Sequence, residues 1–273
     1  MFSITFIFLM VSRNFISYEL RGKKGRGSVL FFKMKKCFSF LFLFFTILSY
    51  ANAEKMEKFA IFPKYSKFLK NIPDEVKKTF YFRTACSSRY IALTFDDGPV
   101  KKTKEIVSLL KEKDVPATFF VVCNNLNSKN VLLYQNSLFE IGMHSFMHGD
   151  YRKFSDTEIE KDVALCVAKF KKLELPVQYF RPGYGVINTA LSRELEKFNL
   201  KGVLWSIDSF DWDGCKGALL VNRIISNLSP GSIVLFHDRV NVSDLRKIID
   251  EIRKKDFIIV PLKTILEFPG EYL

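Results

Sequence analysis

The chain has only three histidines in 273 residues, and each lies where it could bind a metal or transfer a proton. His144 and His148 are four residues apart, so both rings can reach one ion from a helical turn or a comparable bend. Asp96 and Asp97 are adjacent, so one carboxylate could bind a cation while the other accepts a proton. Together with His237 after a later apolar run, these residue types indicate a metal-dependent hydrolase, although an isolated histidine pair or acidic turn is more often structural.

Short apolar runs alternate with amphipathic stretches around these side chains. The apolar runs predict strands at 90–95, 117–122, 139–142, 202–206, 232–236 and 257–260. The amphipathic stretches predict helices at 103–113, 156–173, 189–198, 217–228 and 243–255, with Asp156, Asn188 and Asn241 or Ser243 as N-caps. This alternation predicts a parallel sheet, either closed into a barrel or open and doubly wound. The polar motifs follow the strands, at the end of a parallel barrel where catalytic groups collect.

Five short motifs occur in order along the chain, at 94–99 (TFDDGP), 144–148 (HSFMH), 181–185 (RPGYG), 208–212 (DSFDW) and 235–238 (LFHD). Together they resemble the motifs of the polysaccharide deacetylases of the NodB homology group, carbohydrate esterase family 4. The resemblance covers about residues 89–268, which we interpret as the catalytic domain. It implies an α/β fold, a distorted (β/α) barrel of the NodB type with mostly parallel strands.

The resemblance implies a metal centre with one carboxylate and two imidazole ligands. Asp97, His144 and His148 would hold one divalent ion, with zinc expected and cobalt as the alternative. A mixed oxygen and nitrogen ligand set suits zinc but does not exclude other transition metals.

The resemblance also implies an acid and a base, each with a supporting residue. Asp96 would be the general base toward water, and Arg181 would pair with it. His237 would be the general acid toward the leaving amine, and Asp211 would orient its ring. Outside the family context, Arg181 and Asp211 would be interpreted as ordinary ion-pairing residues.

Three further residues are expected to contact the substrate. The resemblance implies that Tyr184 offers its backbone N–H to the developing oxyanion, while Trp212 and Leu235 line the groove and the acetyl-methyl pocket. The chain departs from the family at Gly183, where a second proline is usual. The freer glycine backbone puts the position of the Tyr184 N–H in doubt.

The N-terminal residues have the pattern of an export signal. Residues 34–53 have a basic start, an apolar centre and an Ala-x-Ala end, which predicts a secretory signal peptide cut after Ala53. The apolar centre is shorter than the roughly 20 residues that cross a bilayer, which disfavours an uncleaved anchor. We interpret residues 1–33 as an upstream segment from a start codon placed too early. Residues 54–88 are predicted to wrap the outside of the domain as an N-terminal extension, and 269–273 form a C-terminal tail.

The formal net charge of the chain is +13, and it falls to +6 without residues 1–53. This modest excess suits anionic wall polymers, but solvated surface lysines explain it equally well. The sequence has no basic and aromatic strip of the kind that binds nucleic acid, and it implies no stable protein partner. We expect membrane contact only through the signal peptide before cleavage.

Four cysteines remain after the predicted cleavage, namely Cys86, Cys123, Cys166 and Cys215. Their wide spacing matches neither a small disulfide scaffold nor a Cys-x-x-Cys metal site. Export would permit disulfides in three connectivities, and free buried thiols are an equal alternative.

The sequence therefore predicts an exported, metal-dependent N-deacetylase. Its expected substrate is the N-acetylhexosamine units of peptidoglycan or another surface glycan, and its expected compartment is the periplasm, the cell wall or the medium. One alternative is an O-acetyl esterase acting on xylan or another acetylated polymer, because the same centre can attack an ester. A second alternative is a glycan-binding protein without turnover.

Overall fold

The computed structural model describes residues 72–271. The helices are α1 (Asp74–Lys77), α2 (Thr103–Glu112), α3 (Asp156–Lys172), α4 (Thr189–Lys197), α5 (Gly217–Asn227), α6 (Val242–Lys254) and α7 (Leu262–Ile265). The strands are β1 (Phe80–Tyr81), β2 (Arg83–Thr84), β3 (Tyr90–Gly98), β4 (Ala117–Val121), β5 (Phe139–Met143), β6 (Tyr179–Phe180), β7 (Lys201–Val203), β8 (Ile207–Asp208), β9 (Ser232–His237), β10 (Ile258–Ile259) and β11 (Gly270–Glu271). The predicted signal peptide, the segment 1–33 and most of the extension 54–88 lie outside the described residues.

A mostly parallel sheet curls into a nearly closed barrel. Its strands follow the order β7, β6, β5, β4, β3, β9, and β8 pairs with the outer edge of β9. All of these neighbours run parallel, as the alternation of strands and helices predicts. The order returns to β8, the strand that directly follows β7 in the chain, so the architecture is a distorted barrel and not an open doubly wound sheet.

Residues 80–84 bridge the gap in the barrel. β1 pairs with the free edge of β7, and β2 pairs with β9 and with β11. Phe80 and Phe82 are buried, so this segment belongs to the core. The prediction that residues 54–88 wrap the outside is therefore wrong for 80–84, because two edge strands of two residues each are too short to show an alternating pattern.

One face of β3 leads from the packed core to a polar end. On β3, Ala92, Thr94 and Asp96 alternate with Ile91, Leu93 and Phe95, and all six residues are buried, with at most 2% of the residue exposed. Ala92 packs in the cluster that includes residues of helix α7. Further along the same face, the register sets Asp96 opposite His237 of β9. The packed face therefore ends in polar side chains at the carboxyl ends of the strands.

The six predicted strands and five predicted helices all form, with ends within three residues of the prediction. Asn188 and Asn241 cap α4 and α6 as expected. The predicted cap Asp156 is wrong, because Ser155 caps α3 and forms a capping box with Glu158. None of the helices between residues 72 and 271 has the length and apolar character needed to cross a membrane.

Candidate active site

A bulge at the end of β3 brings two adjacent carboxylates to one site. The pairing of β3 with β4 shifts between Asp96 and Gly98, and Asp97 adopts a left-handed backbone with φ 73°. Simple alternation along a strand would point the two aspartates in opposite directions. The bulge re-aims Asp97, so both carboxylates line the same groove.

Asp97 and two histidines form a cluster that can hold a metal ion. Asp97 Oδ1 lies 3.2 Å from His148 Nε2 and 3.6 Å from His144 Nε2. Their candidate ligand atoms all lie within 4.8 Å of one another. Asp97 Oδ1 is buried and accepts no hydrogen bond from the described residues, as expected of an oxygen that is a metal ligand. One carboxylate and two imidazoles fit a divalent transition metal and leave coordination positions open.

The two histidines lie on an irregular loop after β5 and not on a helix. Ser145 and His148 have left-handed φ values of 53° and 56°, which turn both rings toward Asp97. His144 Nδ1 lies 2.8 Å from the Arg181 carbonyl oxygen, so Nδ1–H donates and Nε2 faces the cluster. Burial lowers the pKa of His144, which keeps the ring neutral at pH 7, the state that binds metals.

Arg181 forms a buried ion pair with Asp96. Its fully buried guanidinium donates to Asp96 Oδ1 over 2.7 Å and to Thr94 Oγ1 over 2.9 Å. It also donates to the carbonyls of Val203 and Leu204, so it joins the end of β7 to β3. A buried arginine with these partners leaves Asp96 little freedom to rotate.

His237 is hydrogen-bonded to Asp211, the residue that the family resemblance implies would orient its ring. Its Nδ1 lies 2.8 Å from Asp211 Oδ1, and its backbone N–H donates to Asp211 Oδ2 over 2.8 Å. Burial alone would lower the pKa of His237, but the Asp211 carboxylate and the nearby aspartates raise it to about 9. The ring is therefore protonated at neutral pH, as a general acid requires.

The residues predicted to contact substrate line one groove of about 770 Å³, together with Asp96, His237 and the cluster of Asp97 and the two histidines. Tyr184 and Trp212 are 59% and 55% exposed at its surface, which suits stacking on sugar rings, while Leu235 is buried at its floor. Tyr184 has a left-handed φ of 58°, and its ring lies 4.8 Å from that of His148. A Cβ at Gly183 would lie 3.0 Å from the Gly149 carbonyl oxygen, so glycine permits this close approach of the two loops.

Sequence reasoning missed several residues of the groove. Arg239 donates to Asp97 Oδ2 over 3.2 Å, on the oxygen that does not face the histidines. Asp208 accepts hydrogen bonds from the Phe210 backbone and Trp212 Nε1, which sets the turn carrying Trp212. Arg239 directly follows the motif at 235–238 and Asp208 begins the motif at 208–212, so both could have been considered from their positions.

The chain is similar to known proteins over this region. The family model Polysaccharide deacetylase matches residues 84–203. A peptidoglycan-N-acetylglucosamine deacetylase of Bacillus cereus is 31% identical over 192 residues, which cover 67% of this chain and 90% of that protein. A bifunctional xylanase/deacetylase of Pseudobutyrivibrio xylanivorans is 28% identical over 193 residues, which cover 67% of this chain but only 31% of that protein.

A solved structure has the same fold. It is a family 4 carbohydrate esterase pseudoenzyme from Bacillus anthracis, with a TM-score of 0.64, 21% identity and coverage of 68% of each chain. At this identity the similarity supports the barrel architecture and says nothing about turnover. With the family match, the Bacillus cereus relative and the five ordered motifs, the chain belongs to the polysaccharide deacetylases of carbohydrate esterase family 4, the NodB homology group.

Proposed function

We propose that this protein is an exported, zinc-dependent N-deacetylase that hydrolyses the acetamido groups of N-acetylhexosamine units in peptidoglycan or another surface glycan. The observation that carries the proposal is the position of Asp97 Oδ1. This buried oxygen faces both histidine Nε2 atoms and has no hydrogen bond from the described residues. Asp96 and His237, each held by a charged partner, line the same groove.

The chain supplies the proton transfers of amide hydrolysis. When bound, the ion would polarise the acetyl carbonyl and lower the pKa of the attacking water. Asp96 takes a proton from that water as the new C–O bond forms. His237 gives its proton to the amide nitrogen, so the C–N bond breaks to leave a free amine and acetate. The Tyr184 N–H donates to the developing oxyanion.

Two observations favour an N-acetylated glycan outside the cytoplasm. The relative that this chain covers to 90% is named for peptidoglycan N-acetylglucosamine. The disulfide between Cys123 and Cys166 suits an oxidising compartment, in agreement with the signal peptide proposed at 34–53. We place the protein in the periplasm, the cell wall or the medium.

Acetate release from three substrates tests the reaction and the substrate together. Zinc-loaded protein should release acetate faster from chitooligosaccharides or peptidoglycan than from acetylated xylan. Preference for xylan would replace the proposal with an O-acetyl esterase, an alternative favoured by the xylanase/deacetylase relative. Glycan binding without acetate release from any substrate would indicate a non-catalytic binding protein.

The role of Asp96 has its own test. Asp96→Asn should keep its zinc but lose at least about 100-fold in acetate release, because the amide cannot accept the proton of water. Asp213→Asn is the matched control, since Asp213 is an exposed carboxylate on the Trp212 turn. Normal turnover by zinc-loaded Asp96→Asn protein would remove Asp96 as the base.

A further inference from the structure

Helix α3 carries a buried carboxylate that contacts the loop between the two histidines. Asp162 is 6% exposed, and its Oδ2 accepts the Phe146 backbone N–H over 2.8 Å. The same oxygen accepts the Tyr151 hydroxyl over 2.7 Å, and the Met147 N–H faces the same carboxylate. Phe146 and Met147 are two of the three residues that separate His144 from His148.

The loop needs such support because its backbone conformation is unfavourable. Ser145 and His148 are non-glycine residues in the left-handed region. Such residues persist only where the surrounding contacts fix them. In this loop, the two left-handed residues determine the directions of both imidazole rings.

A second connection from the same helix reaches the opposite side of the loop. Cys166 lies one turn after Asp162 and forms the disulfide with Cys123. The backbone N–H of Cys123 donates to the Ser145 carbonyl, and that of Asn124 donates to the Phe146 carbonyl, each over 3.0 Å. Helix α3 therefore holds the loop through the Asp162 carboxylate on one side and through the turn at Cys123 on the other.

We infer that Asp162 is a positioning residue that holds the segment 144–148 in its metal-binding shape. It does not line the groove, and it lies outside the five motifs, so spacing could not identify it. The inference rests on the metal site of the proposed function. Removal of the carboxylate leaves the Phe146 N–H and the Tyr151 hydroxyl without their buried acceptor, so the loop relaxes and the two imidazoles separate.

Zinc affinity, measured by competition with a chromogenic chelator, tests this inference without using turnover. Asp162→Ala should bind zinc at least about 10-fold more weakly than the parent protein, as for other residues that orient metal ligands. Asp162→Asn keeps one acceptor oxygen for two or more donors, so its affinity should fall by at least about threefold. This second variant carries the test if the alanine variant does not fold.

Asp244→Ala is the matched control. Asp244 is another buried helix carboxylate that accepts a backbone N–H, from Gly217 over 2.7 Å. It lies on α6, and no hydrogen bond among the described residues joins it to the loop 144–148. The Asp244→Ala protein should lose thermal stability as the Asp162→Ala protein does, while its zinc affinity stays within about twofold of that of the parent. At saturating zinc, Asp162→Asn should regain most of the parent kcat with an unchanged KM, because its defect is one of metal occupancy.

Folded Asp162 variants with the parent's zinc affinity would overturn the inference, and so would equal losses of affinity in Asp162→Ala and Asp244→Ala. The proposed function fails differently. A parent protein that binds one zinc ion but releases no acetate refutes the deacetylase proposal and leaves the role of Asp162 intact. A parent that binds no zinc refutes both.

Discussion

At the scale of the residue, His237 is protonated at neutral pH because Asp211 lies against it. This contact, together with the nearby Asp96 and Asp97 carboxylates, raises the pKa of His237 to about 9 despite its burial. A general acid works only while protonated, so activity that depends on His237 is present below this pKa and is lost as the pH rises through it. Under the proposed function, the alkaline limb of kcat/KM should therefore depend on the contact between His237 and Asp211.

Asp211→Asn should move this alkaline limb to lower pH by about one unit or more, because the amide removes the charge that favours the imidazolium. The measurement is a pH profile of kcat/KM for acetate release by the zinc-loaded variant and parent. Asp213→Asn should leave the limb in place, since Asp213 is exposed on the same turn and no hydrogen bond among the described residues joins it to His237. An unchanged limb in Asp211→Asn would show that another group sets it.

The motifs identify functional residues that lie within a few positions of one another in the chain. The structure brings Asp97, His144 and His148 together, as the motifs suggest. Asp162 could not be found in this way. It is one of several acids on an amphipathic helix, and only the packing of α3 against the loop distinguishes it from its solvated neighbours. Residues that act through tertiary contacts carry no spacing signal.

At the scale of the element, the long strands and helices follow the hydrophobic pattern because each buries an apolar face. β3 is predicted to end at Phe95 but continues to Gly98, since the bulge at Asp97 extends the pairing past the apolar residues. β6 and β8 contain two residues each and are missed, because a pattern of period two needs more positions to be seen.

The sequence left the cysteine pairing open, and the structure joins Cys123, after β4, to Cys166 on α3. A cross-link over 43 residues should stabilise the fold by about 2–4 kcal/mol, because it lowers the conformational entropy of the unfolded chain. Cys123→Ala/Cys166→Ala protein should lose about that free energy in urea unfolding. A reductant should lower the free energy of unfolding of the parent and leave that of the double variant unchanged. An equal free energy of unfolding of the parent with and without reductant would contradict the cross-link.

At the scale of the whole molecule, the barrel brings together groups that are distant in the chain. Asp97 lies at the end of β3, the histidine loop follows β5, and His237 ends β9. Alternation of strands and helices predicts that these ends share one edge. It does not predict that residues 80–84 bridge the barrel, because their two short strands form only against the completed edges of β7 and β9.

A ligand held between β3 and the loop after β5 should stabilise the whole fold, because the unfolded chain does not keep Asp97 near the histidines. Free zinc at 1,000 times its dissociation constant should raise the free energy of unfolding by about 4 kcal/mol. The measurement is urea unfolding in a chelator and in buffered zinc. His148→Ala should lose most of this increment at the same free zinc, since it removes one of three ligands while the apo fold remains. An equal zinc increment in the parent and in His148→Ala would place the stabilising ion elsewhere, and the proposed centre would then lose its thermodynamic support.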